Sequence, residues 1–533
     1  MYVLGDIPRR WSKFSPAEVC MVCYSYGEVR YKWREFNERI NRLANSLMTM
    51  GLTKGDHVAV LMENCHRYVE LYYAMAKAGI IPVPLNLRLH PKELQYIIVH
   101  SDSVGLIIGP EFKDTLATLK PGLEKIKYYI STVERFDGMK CYEDLVGTGS
   151  VEEPEIDVDE NDTALLIYTG GTTGLPKGVV LTHRNLITWV MGGLLTNLKS
   201  QTFSSSGSST LFILPAFHIS LWPILMLHYA GDKVVMIKRP DMRMILEIIE
   251  KEKITHMNAV PTVYFWLVNY PDLKKYDLSS IRSFSYAGAP FPTAILRQCI
   301  ETFGPIFSQG YGATEGGPWT TLPAKDHVLD GSEEEVKRLK SAGRPSLVCQ
   351  IRIVDEKGRD VKLGEIGEII IKSKTTMKEY WKDPEKTKEV KRGDWYYTGD
   401  MGTFDEDGYI YLADRAADMI KSGGERVYPT EVENILYTHP AVSEAAVIGV
   451  PDPEWGERVQ AVIYLKPEYS DEYKGKEDSL KNELVDFCRQ NLTRYKCPKT
   501  IDFSPEPLPK TAIGKVLRKE LRDKYKRRDK YKK

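Results

Sequence analysis

Along the first hundred residues the apolar positions change period several times, and each change predicts an element. Over 33–50 they fall at Phe36, Ile40, Leu43, Leu47 and Met48, the spacing of a helix with one buried face. Gly51 follows as a helix stop. His57-Val58-Ala59-Val60-Leu61 is an apolar run of strand length, an apolar helix is predicted near 68–78, and Ile80-Ile81-Pro82-Val83-Pro84 reads as a second strand. The rhythm returns at 233–237, 244–251 and 256–260. Strands alternating with helices predict an α/β architecture with largely parallel sheets.

The most apolar stretch, 211–237, is interrupted by Pro215, His218, Pro223, Asp232 and Lys233, so it reads as buried helix and strand rather than a membrane span. The Ser-rich run 200–209 reads as a surface loop. At 533 residues the chain exceeds what one core supports, and two or more domains are expected. The character changes near Asp414. Before it, 399–412 reads as a hairpin punctuated by Gly and Asp. After it come Lys421-Ser422-Gly423-Gly424, a helix over 429–437 and a basic tail, 524–533, read as a solvated helix end. The expected domains are therefore 1–413 and 414–533.

Composition narrows the partners. Lys plus Arg and Asp plus Glu both number 73, so no nucleic-acid or anionic-membrane partner is expected. The opening Met1-Tyr2-Val3-Leu4-Gly5-Asp6 lacks the basic and apolar stretches of a signal peptide. Eight cysteines are scattered, and the Cys20/Cys23 pair lies in a predicted strand, so structural thiols in a reducing cytoplasm are expected.

The chemistry concentrates in five segments. The first is Y-T-G-G-T-T-G-L-P-K-G at 168–178, just after an apolar strand at 164–167. Glycines bare the backbone N–H groups, threonines add hydroxyls and Lys177 adds charge, which together can cradle a polyphosphate. It is not the Walker A pattern. In Q-G-Y-G-A-T-E at 309–315, Tyr311 could stack on a purine, Thr314 bind a phosphate oxygen and Glu315 hold Mg2+. Tyr286-Ala287-Gly288-Ala289-Pro290 offers a flat wall of backbone. Tyr397-Thr398-Gly399-Asp400 and Asp414-Arg415 supply a carboxylate and a guanidinium, and a carboxylate can accept both hydroxyls of a ribose. Pro509-Lys510-Thr511-Ala512-Ile513-Gly514-Lys515 sets a lysine after a glycine on a predicted hairpin.

In this order and spacing the segments resemble the adenylate-forming superfamily of acyl-CoA synthetases, luciferases and peptide-synthetase adenylation domains, over nearly the whole chain. The resemblance implies a large N-terminal domain of stacked α/β sheets with a β-barrel-like subdomain, and a small mobile α+β C-terminal domain. It implies that Thr169, Gly170, Gly171, Thr172, Thr173, Gly174 and Lys177 bind the ATP phosphates. Tyr311, with Gly310 and Gly312, would face Gly288, Ala289 and Pro290 across the adenine. By the same resemblance Thr314 contacts the α-phosphate, Glu315 carries Mg2+ and Asp400 and Arg415 grip the ribose. Lys515 matches the adenylation lysine and Asp414 the hinge, while Lys421, Ser422, Gly423 and Gly424 would line a tunnel for coenzyme A. His218, Trp222, Gly312 and Ala313 would line the acyl pocket.

The implied activity is that of an ATP-dependent, AMP-forming carboxylic acid:CoA ligase using Mg2+ and coenzyme A, as monomer or homodimer. Amino-acid-activating relatives place an Asp where His218 stands; without it, burying a substrate ammonium is costly. Trp222, four residues beyond His218 and predicted to share a helix face with it, resembles the aromatic gate of fatty-acyl relatives. Gly170 replaces a Ser common among relatives, a form that occurs in fatty-acyl-CoA synthetases. A medium- or long-chain fatty acid is therefore expected, with an aromatic or alicyclic acid as the alternative. A luciferase-type oxygenase shares these motifs. A non-catalytic nucleotide-binding protein would lack Lys515, Glu315 or Asp400, and all three are present.

Overall fold

In the computed structural model, the described residues are 2–169, 176–199, 207–288, 291, 293–415, 418, 420–422, 425–452, 455–467, 469, 473, 475–492, 494–510 and 516–530. The helix predicted over 33–50 forms as Trp33–Thr49, and its stripe of Trp33, Phe36, Ile40, Leu43, Ala44 and Leu47 is wholly buried. Each large apolar side chain removed from water contributes about 1.5–3 kcal/mol, so this stripe alone holds the helix down. It packs on the helix His66–Ala78, which ends at left-handed Gly79.

Two parallel sheets form the frame. The smaller runs Ile81–Pro84, His57–Leu61, Ser103–Ile108, Tyr128–Ser131, Lys140–Cys141. Every residue of its first two strands is buried, as a sheet covered on both faces requires. The larger has nine strands, with Phe307–Ala313, Ser283–Ala287, His256–Ala259, Ser209–Phe212, Lys233–Met236 and Val19–Cys23 running parallel through its middle. Ser209–Phe212 is the switch point of this sheet. The next strand in sequence, Lys233–Met236, lies on one side of it, and the one after, His256–Ala259, on the other. Ligands of open α/β sheets bind in the crevice beyond the carboxyl end of such a strand.

Around this frame sit a three-stranded sheet of Thr163–Thr169, Lys177–Thr182 and Glu379–Tyr380, and an antiparallel sheet built on Gly367–Ser373 and Trp395–Phe404. The latter takes the place of the expected barrel-like part, and Ile410–Arg415 pairs with the end of Trp395–Phe404. The last sheet centres on Val442–Asp452 and Gly456–Leu465, with the helices Pro429–Leu436, Glu477–Asn491 and Arg518–Lys530 beside it. The chain is thus an α/β protein with a large N-terminal domain of several sheets and a C-terminal domain. Its buried apolar clusters divide accordingly: three use residues up to Ile410, two use residues from Ile420 on.

One expectation is corrected. Of the Ser-rich run 200–209, residues 200–206 lie outside the described residues, but Ser208 and Ser209 are buried and Ser209 opens a strand. The hydroxyl of Thr255 and the amide of Ser209 explain the difference, since they bond across to the neighbouring strand and draw the serine into the sheet. Among the described residues no helix is long and apolar enough to cross a membrane. All eight cysteines are free thiols.

Candidate active site

The Q-G-Y-G-A-T-E segment forms the strand Phe307–Ala313 and a tight turn that returns as Gly317–Leu322. Glycine makes the turn possible. Gly317 adopts φ +71, and a Cβ there would fall 2.4 Å from the Trp189 ring. A Cβ on Gly312 would lie 1.8 Å from the Gly317 carbonyl oxygen. The register shifts between Tyr311, opposite Thr320, and Gly312, opposite Pro318, which leaves Trp319 unpaired in the ladder. Such a bulge re-aims side chains. Trp319 sits edge-on to Tyr311 at 5.5 Å, and Thr314 is buried in the turn.

Tyr380, which the sequence reading passed over, ties this hairpin to the strand Lys177–Thr182. Its hydroxyl donates to Glu315 Oε1 at 2.9 Å, and its backbone pairs with Val179 of the strand that Lys177 opens. Lys177 Nζ stands 5.6 Å from the centre of its ring. Burial and the adjacent Glu315 carboxylate push the Tyr380 phenol up, so it stays a proton donor at neutral pH. The amide of Met377 also donates to the Glu315 carbonyl at 2.7 Å. The helix His183–Lys199 holds this connection, because Asn185 bonds the carbonyls of Lys374 and Thr376 and Trp189 that of Thr375. The only sequence signal for Tyr380 is an aromatic pair, Tyr380-Trp381, ahead of the helix cap Asp383.

Thr169 and Lys177 are cross-strand partners at the ends of the antiparallel strands Thr163–Thr169 and Lys177–Thr182. Gly288 stands at φ +82 just past Ala287, the register partner of Gly310, and the neighbouring Tyr311 donates its phenol to Asp400 Oδ2 at 2.7 Å. Asp400 and Arg415 are register partners, and Asp414 lies within the strand Ile410–Arg415. Lys421 and Ser422 occupy the strand Ile420–Ser422, with the Ser422 side chain buried. Gly170, Gly171, Thr172, Thr173, Gly174, Ala289, Pro290, Gly423, Gly424 and Lys515 lie outside the described residues. The flanks of Lys515 are placed. Lys510 and Val516 form an antiparallel bridge, and Arg518 pairs with Glu433 at 2.6 Å.

The segment expected to line the acyl pocket leaves the sheet at the switch point. His218 and Trp222 do not share a helix face, contrary to the spacing argument. His218 is extended ahead of the short turn Ile219–Leu221, and the helix Trp222–Ala230 begins only at Trp222 with Pro223 in its first turn. A proline there suits a helix start, which is why the helix cannot be extended back to His218. Burial pulls the His218 imidazole down to about 4, so it is neutral at pH 7, and its Nδ1 finds no partner among the described residues. Trp222 packs against the helix His183–Lys199 at Gly193, where a Cβ would lie 3.3 Å from Trp222 Cζ3.

Among the described residues no three His, Cys, Asp or Glu side chains gather into a metal cage. A lone carboxylate such as Glu315 fits a Mg2+ ion that is otherwise held by nucleotide phosphates.

Comparison with known proteins agrees. Residues 9–381 match the model of the AMP-binding enzyme family, and 431–515 that of the AMP-binding enzyme C-terminal domain. The chain is 36% identical to a feruloyl-CoA synthase of Amycolatopsis sp over 98% of this chain and 99% of that one. It is 32% identical to a long-chain-fatty-acid–CoA ligase of Mycobacterium tuberculosis, covering 93% and 94%. An amide bond synthetase from Marinactinospora thermotolerans superposes with a TM-score of 0.84 at 27% identity, covering 98% and 100%. Sequence motifs, fold and relatives agree: the chain belongs to the AMP-binding enzyme family, within the adenylate-forming superfamily of AMP-forming acyl-CoA ligases.

Proposed function

We propose that this enzyme joins an apolar carboxylic acid to coenzyme A through an acyl-adenylate. The observation that carries the reading is the convergence of Lys177, Glu315, Tyr311 and Asp400 through two phenols, Tyr380 on Glu315 and Tyr311 on Asp400. A carboxylate does not acylate a thiol directly, since its leaving group would be oxide. Attack of a carboxylate oxygen on the α-phosphorus of ATP forms the mixed anhydride and releases pyrophosphate. The CoA sulfur then attacks the acyl carbon and AMP leaves.

The first step brings two anions together. Loop N–H groups of 169–174, Lys177 and Lys515 offset the repulsion, and Glu315 would hold the Mg2+ that supplies further positive charge. Thr314 would orient the α-phosphate, and Asp400 and Arg415 the ribose, which removes part of the entropic barrier. For the second step the domain 414–533 would turn about Asp414, withdrawing Lys515 and bringing the 421–424 face toward the site. The separation of the apolar clusters on either side of 410–420 supports such a turn. A cytoplasmic location accords with the free thiols.

Two acid classes have support. The T-G-G-T-T-G loop and Trp222 favour a medium- or long-chain fatty acid. The feruloyl-CoA synthase relative, together with the contact of Trp222 on the glycine face of His183–Lys199, favours a compact aromatic acid. The test is a panel of acids of varied chain length and ring type with ATP, Mg2+ and coenzyme A, scored for CoA-dependent AMP release. Failure to release AMP with every acid overturns the enzyme reading, and ADP with phosphate as products reassigns the chemistry to an acyl phosphate.

A further inference from the structure

The backbone from Leu214 to Ala216 has left the strand Ser209–Phe212 and has no ladder of its own, yet three of its polar groups are paired from outside the segment. Their partners are side chains about 150 residues upstream, on the turn and helix that follow His57–Leu61 in the other parallel sheet. Asn64 Nδ2 donates to the Leu214 carbonyl at 2.7 Å, and Asn64 Oδ1 accepts from the Ala216 amide at 2.8 Å. A side-chain amide bonded in this way stands in for a neighbouring strand, since it presents one donor and one acceptor with backbone spacing. Tyr72 completes the set by donating its hydroxyl to the Ala216 carbonyl at 2.8 Å.

Both side chains are shielded from water, with Asn64 5% and Tyr72 6% exposed. A buried hydrogen bond of this kind is costly to break, because the orphaned partner stays desolvated. The segment then continues straight into Phe217 and His218, and the Ser220 hydroxyl closes back on the Pro215 carbonyl at 2.9 Å. The placement of His218 and Trp222 is thus set from outside their own sheet.

We infer that Asn64 and Tyr72 are positioning residues that fix the acyl-recognition segment 214–222 and so set which acids bind well. This rests on the acyl pocket lying at His218 and Trp222. The experiment compares wild type with Asn64→Ala and Tyr72→Phe as full-length proteins. KM and kcat are measured for ferulate and dodecanoate, for ATP and for coenzyme A, and hydrogen exchange is followed by peptide.

The expected result is a rise of about 10-fold or more in the KM of the acid for Asn64→Ala, consistent with small misplacements of a binding group. A smaller rise is expected for Tyr72→Phe, which loses one bond and keeps its ring. The KM values of ATP and coenzyme A stay within two-fold. The ratio of kcat/KM for the two acids shifts, and exchange quickens in the peptide spanning 214–221 but not in that spanning 307–322. Unchanged acid KM in both folded variants, or an equal rise in all three KM values, overturns the inference while leaving the ligase reading intact. Wild type that releases no AMP with any acid overturns that reading and this inference with it.

Discussion

The hairpin proposed to grip the nucleotide and the segment proposed to line the acyl pocket lie at the same end of one sheet, yet they are held by opposite means. The hairpin Phe307–Ala313/Gly317–Leu322 keeps its shape through its own ladder and through glycines that let Trp189 and its own backbone approach. The segment 214–222 has no ladder and is bonded at Leu214 and Ala216 by Asn64 and Tyr72, on the turn and helix that follow a strand of the other parallel sheet. A self-supporting element suits a part that must grip the same nucleotide at every turnover. One held from outside can change its position, and hence the acid, through substitutions that never touch the nucleotide.

The contrast is broken most directly at Glu315. Glu315→Gln should cut acyl-adenylate formation by about 10²–10³-fold for every acid, the cost of one lost transition-state charge contact. Pyrophosphate exchange measures it, and a loss confined to one acid class would refute the division of labour. Next, Lys515→Ala should reduce the same half-reaction by at least ~10²-fold while largely sparing thioester formation from pre-made acyl-adenylate. Equal loss in both half-reactions would sink the two-position assignment of the C-terminal domain.

A structural change of the hairpin should be felt as stability. Gly312→Ala sets a methyl against the Gly317 carbonyl, so unfolding free energy should drop by about 1–3 kcal/mol, read from denaturant midpoints. An unchanged midpoint would show that the hairpin yields more easily than its packing indicates.

The smallest effect concerns His218. Its folded pKa, about 4, lies below the unfolded value, so its neutral form persists through the working range. The KM of the acid should stay flat from about pH 8 to about pH 5.5, given an unperturbed histidine pKa of about 6.5. Below that unfolded value the unfolded chain takes up more protons. Stability present at neutral pH is then lost as pH falls toward the folded pKa, by at most about 1.4 kcal/mol per pH unit from this residue. A titration of the acid KM near pH 6.5 that His218→Gln abolishes would place a charged imidazole in the pocket instead.

Much of this was legible from residue type. The helix over 33–50 and the strands at 57–61 and 256–260 carry their period in local sequence, and glycine-rich turns announce themselves because few other residues can take their backbone angles. The shared helix face of His218 and Trp222 was misread, because spacing does not show that Pro223 starts a helix rather than sitting within one. Tyr380 was not legible at all. One tyrosine in a two-residue strand carries no periodicity, and its role comes from pairing with a strand some two hundred positions earlier.

The sequence by itself determined the α/β class, the order of the five motifs, and the carboxylates and lysines those motifs carry. These depend on residue identity and short-range spacing, which the chain states directly. Only the tertiary structure decided that the larger sheet reverses its order at Ser209–Phe212, that Tyr311 bonds Asp400 and Tyr380 bonds Glu315, and that Asn64 bonds the backbone of Leu214 and Ala216. Those facts depend on which distant strands become neighbours. That choice is made by burial of whole apolar faces, which no local window of sequence contains.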